Sequence, residues 1–373
     1  MSTYLVTGGL GFIGSHLVEA LLGQGDAVRV LDDLSSGHLA NLPPGAEFLR
    51  GDVLDGAAVR RAAAGADGLF HLAAIASVER GVRDPVGTHR VNLTGMLTVA
   101  EVAAAAGLPL VYASSAAAYG DAGPLPLEET ALPRPLSTYG ADKLGCELHA
   151  RALGVSHGLR SAGLRFFNVF GPRQDPRSPY SGVISIFLDR ALRGEAPTVF
   201  GDGGQTRDFV HVSDVVAALR AAMRIAATGA PVLNVCTGRA TSVLELAGIV
   251  AKLAGASPGI RHAPARAGEI RHSLGSPARA AALAGIRARV GMVEGLGGTL
   301  RWMRDAYRDA QPTTPAMPNH SASEATRMTS AATGQARRPL PVARDGSAAS
   351  PARAAPGPAV AAASADAFSG SGR

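Results

Sequence analysis

Cysteine, lysine and aromatic residues are all scarce in this chain of 373 residues, and each scarcity excludes something. Two cysteines, Cys146 and Cys236, are too few for a disulfide framework and lack metal-ligand spacing, so no metal is expected. That excludes a disulfide-stapled secreted domain and makes a reduced, cytoplasmic compartment the expectation. No apolar run approaches the roughly 18 residues that a membrane span needs. The amino terminus "MSTYLVTGG" has no charged segment leading into an apolar core, so no secretory signal is expected. Aromatic residues make up 5%, and no basic stripe interleaves with them, which argues against a nucleic-acid partner despite a formal charge of +6. Half of that charge sits in the last 63 residues, where six arginines face Glu324, Asp345 and Asp366. Lysine is the rarest charged residue, with Lys143 and Lys252 standing beside 34 arginines.

What the chain does have is 46% hydrophobic and 18% charged residues, the composition of a globular protein with a sizeable core. Short β-branched runs alternate with Ala- and Leu-rich stretches. "TYLVTG" (3–8), "AVRVLD" (27–32), "AEFLRG" (46–51), "GLFHLA" (68–73), "LPLVYAS" (108–114) and "LRSAGLRFFNV" (159–169) read as strands. "FIGSHLVEALLGQG" (12–25), the stretch 87–106 and the stretch that follows Tyr139 read as helices. Such alternation predicts an α/β fold, a doubly wound parallel sheet of Rossmann type. After Gly171-Pro172 the pattern breaks into Gly- and Pro-rich loops, and short helices and strands then continue to about Tyr307. The expected division is a sheet domain over 1–175 and a smaller, largely C-terminal substrate-binding region over 176–308, with some chain returning to the first domain. A disordered Ala/Pro/Ser/Arg tail is expected over 309–373.

"TGGLGFIGSHL" carries Gly9-x-Gly11-x-x-Gly14 and also Gly8-x-x-Gly11-x-x-Gly14. In a chain with 46 glycines the spacing says little by itself. Its setting says more: it follows a strand, opens a helix and precedes Asp32 at the end of the next strand. Glycine there permits a tight turn and lets backbone N–H groups approach a pyrophosphate at the helix N-terminus. Asp32 can accept from both adenosine ribose hydroxyls, and its charge disfavours a 2′-phosphate, so NAD rather than NADP is the expected cofactor. The plainer alternative is that these glycines only pack a helix on a strand.

Tyr139 and Lys143, in "STYGADK", lie one helical turn apart and share a face. A phenol titrating at about 10 is a poor base at neutral pH. A neighbouring ammonium favours the phenolate and makes it a working general base. With six tyrosines and two lysines in the chain, coincidence is a poor account of that spacing. Upstream, "YASSAAAYGD" puts Ser114 and Ser115 at the end of a central strand, where doubly wound sheets carry reactive groups. A hydroxyl there can bond the reacting oxygen of a substrate, although serine also ends strands for turn-forming reasons. His16, His71, His211 and Asp214 read as structural.

Together with "FHLAA" (70–74), Asn92 in "VNLTG", "LRFFNVFGP" and "RDFVHVSD", these pieces stand in the order found in extended short-chain dehydrogenases/reductases. Over roughly residues 2–308 the chain resembles the UDP-glucose/UDP-N-acetylglucosamine 4-epimerases of that superfamily. The resemblance implies that Gly8, Gly11, Phe12, Ile13, Gly14, Asp32, Asp52, Val53, Ala73, Ala74 and Asn92, with Tyr139 and Lys143, bind NAD. It implies that Tyr139 takes the proton of the sugar 4-hydroxyl while C4 gives its hydride to NAD, and that Ser115 holds that oxygen. Lys143 would bind the nicotinamide ribose, and the 4-keto sugar would turn over and receive the hydride on its other face. A homodimer is implied too, through a four-helix bundle built from 87–106 and 139–157.

The residues after the serines narrow the reaction. Related 4,6-dehydratases carry an acidic residue there to remove a proton from C5, and related decarboxylases carry a glutamate. Here Ala116, Ala117 and Ala118 cannot do acid–base work, which points to epimerisation. On the substrate side, Asn168 matches a ligand of the substrate diphosphate. Arg207 and Arg266 match phosphate-binding arginines, whose guanidinium suits bidentate contact; taken singly, either is equally a solvated surface charge. "SPYSGVISIF" (178–187) reads as a flap over the nucleotide or as an ordinary surface loop. Ser273, in "GEIRHSLGS", stands where epimerases restricted to glucose and galactose carry a bulky tyrosine. Its small side chain leaves room for a 2-acetamido group, so UDP-N-acetylhexosamines are expected substrates beside the plain UDP-hexoses. Gly275-Ser276 departs from the usual Ala-Asp. The rivals are a uronate 4-epimerase or a 4,6-dehydratase on the same scaffold and, from another class, a non-catalytic nucleotide-binding regulator. Retention of Ser115, Tyr139 and Lys143 together counts against the regulator, since fold stability requires none of them.

Overall fold

Alternate side chains of the strands fill two cores, one on each face of a seven-stranded parallel sheet. The structure, a computed structural model, describes residues 1–121, 123–175, 182–255, 259–265 and 270–309, all within the compact unit Met1–Thr313. The sheet strands are β1 (Thr3–Thr7), β2 (Ala27–Asp32), β3 (Glu47–Arg50), β4 (Gly68–His71), β5 (Leu110–Ser115), β6 (Ser161–Phe166) and β7 (Val232–Val235). Their spatial order is β3-β2-β1-β4-β5-β6-β7. The order reverses between β1 and β4, which opens a crevice at the carboxyl ends of those strands.

The period of two along each strand decides which core a residue enters. Val6, Val30 and Val111 pack on one face with Leu17 and Val18 of helix α1 (Phe12–Leu22) and Leu219 of helix Val212–Met223. Their neighbours Leu5, Leu31 and Leu110 point the other way. They meet Val59 of helix α2 (Gly56–Ala63), Val99 of helix Gly95–Ala105 and Ala150 of the long helix Thr138–His157. Each such aliphatic side chain contributes about 1.5–3 kcal/mol by leaving water. A third cluster, including Phe170, Phe187, Phe209, Leu246 and Leu300, lies outside the sheet.

Three expected elements differ in extent. The first helix ends at Leu22 with Gly23 as its cap rather than running to Gly25. The stretch 87–106 is not one helix: Pro85–His89 is α, Arg90–Thr94 forms a π turn around Asn92, and Gly95–Ala105 is α again. The strand expected over 159–169 stops at Phe166. The Phe167 N–H still donates to Val235 O at 3.1 Å, but Asn168–Phe170 then pairs in parallel with Phe209–His211 instead of with the sheet. Arg266, residues 178–181 of the expected flap and the tail from 310 lie outside the described residues. Among the described residues no helix is long and apolar enough to cross a membrane.

Candidate active site

The glycine turn sits on the crevice where the strand order reverses. Gly8 follows β1 with φ of +69°, a left-handed conformation that a side chain disfavours. A β-carbon on Gly8 would lie 2.6 Å from the Ala73 nitrogen, and one on Gly14 would collide with the Gly8 carbonyl. The turn after β1 is thus pressed against the segment after β4. Gly11 is the N-cap of α1 and no side chain caps that helix, so the N–H groups of its first turn, opened by Phe12 and Ile13, are left for an anion. Asp32 closes the other side: Oδ2 accepts from Leu10 N at 3.0 Å and Oδ1 from Leu34 N at 2.9 Å. Each oxygen keeps a further lone pair for a hydroxyl donor. Gly51 N donates to Asp32 O at 3.1 Å, which brings Asp52 and Val53 alongside. Fully buried Asn92 clamps Ile75, accepting from its N–H at 2.8 Å and donating to its carbonyl at 3.1 Å. That bond pair fixes the loop carrying Ala73 and Ala74.

The long helix begins at Ser137, whose Oγ accepts from Gly140 N at 3.1 Å as an N-cap. Gly140 is seated so closely that a β-carbon there would collide with the Ala117 carbonyl. This contact sets the start of the helix, and with it Tyr139, against the turn that follows β5. Ser115 ends β5 and its Oγ accepts from Ala117 N at 3.1 Å, opening the short 3-10 turn Ala116–Ala118. Lys143 is buried; its Nζ donates to Ala113 O of β5 at 3.0 Å and lies 5.9 Å from the Tyr139 ring centroid. One helix face and one strand end therefore gather Ser115, Tyr139 and Lys143.

The other singled-out residues order the backbone or the core. His71, at the end of β4, meets Thr7 Oγ1 at 2.8 Å, and burial, then the nearby Lys143 charge, push its pKa down to about 3. His16 Nε2 reaches Pro172 O at 2.9 Å. His211 Nδ1 accepts from Ser213 N at 3.3 Å, and Asp214 accepts from Arg289 N and Val290 N, each at 3.0 Å.

Of the residues expected on the substrate side, Asn168, Arg207 and Ser273 come together at Thr206–Asp208. Asn168 donates to Asp208 O from its backbone at 3.0 Å and from its side chain at 3.3 Å. Ser273 N donates to Thr206 O at 3.1 Å, and Arg207 Nη1 donates to the same carbonyl at 2.9 Å. The Asp208 carboxylate, fully buried, accepts from Thr237 N and Oγ1 at 2.7 Å and from Gly238 N at 2.9 Å. Burial pushes its pKa up against the pull of those bonds. Sequence reasoning passed over Asp208, Glu147 and Arg165. Glu147 was open to detection, because it continues the spacing of four from Tyr139 through Lys143.

Residues 4–236 match the model of the NAD-dependent epimerase/dehydratase family. The chain belongs to this family. Among its members, the UDP-glucose 4-epimerase of Mycolicibacterium smegmatis is 37% identical over 309 residues, covering 81% of this chain and 98% of that one. The UDP-glucose 4-epimerase of Thermus thermophilus, solved in complex with NAD, is 40% identical with a TM-score of 0.76, covering 82% and 99% of the two chains. The UDP-N-acetylglucosamine 4-epimerase of Methanobrevibacter ruminantium M1, solved with UDP-N-acetylmuramic acid, is 33% identical with a TM-score of 0.78 at the same coverage. A dTDP-glucose 4,6-dehydratase of Streptomyces niveus also matches, 33% identical over 316 residues, 81% of this chain and 92% of that one. Within the epimerase/dehydratase family this chain is UDP-glucose 4-epimerase-like and NAD-dependent. The uncapped α1, the glycines that admit no β-carbon and the Asp32 carboxylate fit a dinucleotide.

Proposed function

We propose that this protein interconverts the 4-epimers of a UDP-hexose through a transient 4-keto sugar, acting on UDP-glucose/UDP-galactose and on UDP-N-acetylglucosamine/UDP-N-acetylgalactosamine. The observation that carries this reading is the junction of Gly140 with Ala117: it brings the Tyr139–Lys143 face to a strand end where three alanines replace any acid or base. Tyr139 removes the proton of the 4-hydroxyl and later returns it, Ser115 hydrogen-bonds that oxygen, and Lys143 holds a positive charge beside the phenol. NAD, when bound, supplies reversible hydride acceptance at C4. Gly8, Gly11, Phe12, Ile13 and Gly14 hold its pyrophosphate, Asp32 its ribose, and Asp52, Val53, Ala73 and Ala74 line it, with Asn92 acting through Ile75.

Asn168, Arg207 and Arg266 hold the substrate diphosphate, and small Ser273 leaves room for the 2-acetamido group. The division at about residue 175 into cofactor and substrate parts is supported by the separate cluster around Phe187 and Leu246. A homodimer is supported by Leu148 and Val155, exposed 62% and 85% on the long helix. A cytoplasmic location completes the reading.

The test is incubation with UDP-glucose, UDP-N-acetylglucosamine and UDP-glucuronate separately, without added cofactor, and chromatography of the products. The expected result is equilibration of the glucose and N-acetylglucosamine pairs, abolished in Tyr139→Phe. A 4-keto-6-deoxy product, the outcome of the dehydratase relatives, overturns it, as does turnover of the glucuronate alone.

A further inference from the structure

Directly behind the reacting groups, a row of buried polar side chains crosses three strands. Ser114 of β5 is paired with Arg165 of β6, and Arg165 with Asn234 of β7. Residues in register on neighbouring strands share a face. The three are 2%, 4% and 1% exposed. Glu147 of the long helix, also buried, lies over the row: Arg165 donates from Nε to Oε1 at 2.8 Å and from Nη2 to Oε2 at 2.6 Å. The Ser114 hydroxyl donates to Glu147 Oε1 at 2.5 Å. The Tyr119 ring stacks on the guanidinium at 4.4 Å and its hydroxyl donates to Asn234 Oδ1 at 2.6 Å.

A buried ion pair is a poor way to stabilise a core, since apolar residues of similar volume usually do as well or better. What the row does is geometric. Tyr139, Lys143 and Glu147 recur every four residues and form one stripe of the helix. Lys143 holds the Ala113 carbonyl and Glu147 holds the Ser114 hydroxyl, two successive attachments of that stripe to β5 immediately before Ser115. At its far end the row ties Asn234 Nδ2 to Leu127 O at 2.9 Å and to Ser276 O at 3.3 Å, beside the segment that carries Ser273.

We propose that Glu147 is a positioning residue of the reaction, which through the Ser114 hydroxyl fixes Ser115 relative to Tyr139 and Lys143. The kinetic part of its test rests on the epimerase reading; the structural part does not. Removing Glu147 strands Arg165 in the core and endangers folding, so the decisive variant is Ser114→Ala, which leaves the ion pair whole. The expected result is a fall in kcat of about 10-fold or more with KM little changed, because small misplacements of reacting groups are costly. Hydrogen exchange should accelerate locally, at the amides of 115–119, where Ala117 N–H is held by Ser115, while bound NAD is retained and the melting temperature falls only modestly, as expected for one lost hydrogen bond. Wild-type kcat with wild-type exchange overturns the proposal, and so does a loss of rate accompanied by faster exchange throughout the chain. If the unaltered protein turns over none of the UDP-sugars, the functional reading fails, and the exchange comparison still decides the positioning role.

Discussion

His71 lies wholly buried at the end of β4, its Nδ1 held by Thr7 and its Nε2 without a hydrogen-bond partner among the described residues. The unfolded chain titrates this ring near 6.5, whereas the folded chain resists protonation down to about pH 3. Between those values the unfolded state binds a proton that the native state refuses. Its contribution to stability is therefore complete above about pH 6.5 and is lost as pH falls, by up to about 1.4 kcal/mol per pH unit. Urea unfolding at pH 7, 6, 5 and 4 should show a shallower acid slope for His71→Asn than for the unaltered protein, and equal slopes refute the assignment. Comparison with the variant cancels the opposite contribution of Asp208, whose carboxyl is pushed upward by burial. At this scale the sequence was informative about placements that follow from local spacing, such as Tyr139 with Lys143 on one helix face and Asp32 at the end of β2. It was silent on Glu147 with Arg165, because pairing across a helix and a strand is decided by tertiary packing.

Elements behave according to how tightly their glycines are enclosed. Gly14→Ala would drive a methyl into the Gly8 carbonyl at the head of α1. The expected cost is about 1–3 kcal/mol, with loss of NAD retained through purification, read by melting temperature and by NAD released on denaturation. Gly248, exposed on helix Val243–Ala254 with open space around it, is the contrast. Gly248→Ala should raise stability by about 0.5–1 kcal/mol and leave bound NAD unchanged. Strand and helix alternation was legible because the apolar period differs between the two. The π turn at Asn92 was not, since Arg90–Thr94 reads as part of one helical run whether its turn has α or π spacing. Nor does the stretch 159–169 reveal that Phe166 and Asn168 pair with different strands.

The whole molecule joins two sheet-face cores to the outlying cluster around Phe187 and Leu246. Leu148 and Val155, seven residues apart on the long helix, are exposed on one side of it. Sedimentation should give a dimer for the unaltered protein and a folded monomer for Leu148→Glu; an unchanged sedimentation coefficient in the variant removes the four-helix interface. The seating of Gly8 on Ala73 bears on how the molecule is made. The glycine turn leaves the ribosome early, but its opposing wall follows β4, and β4 completes the sheet only with β1 on one side and β5 on the other. A nascent chain halted before β4 carries the glycine turn and Asp32 but lacks the wall at Ala73 that closes against them. On this reading the cofactor site closes only once β4 and β5 have joined β1, and a fragment of this chain that ends before β4 should retain no NAD.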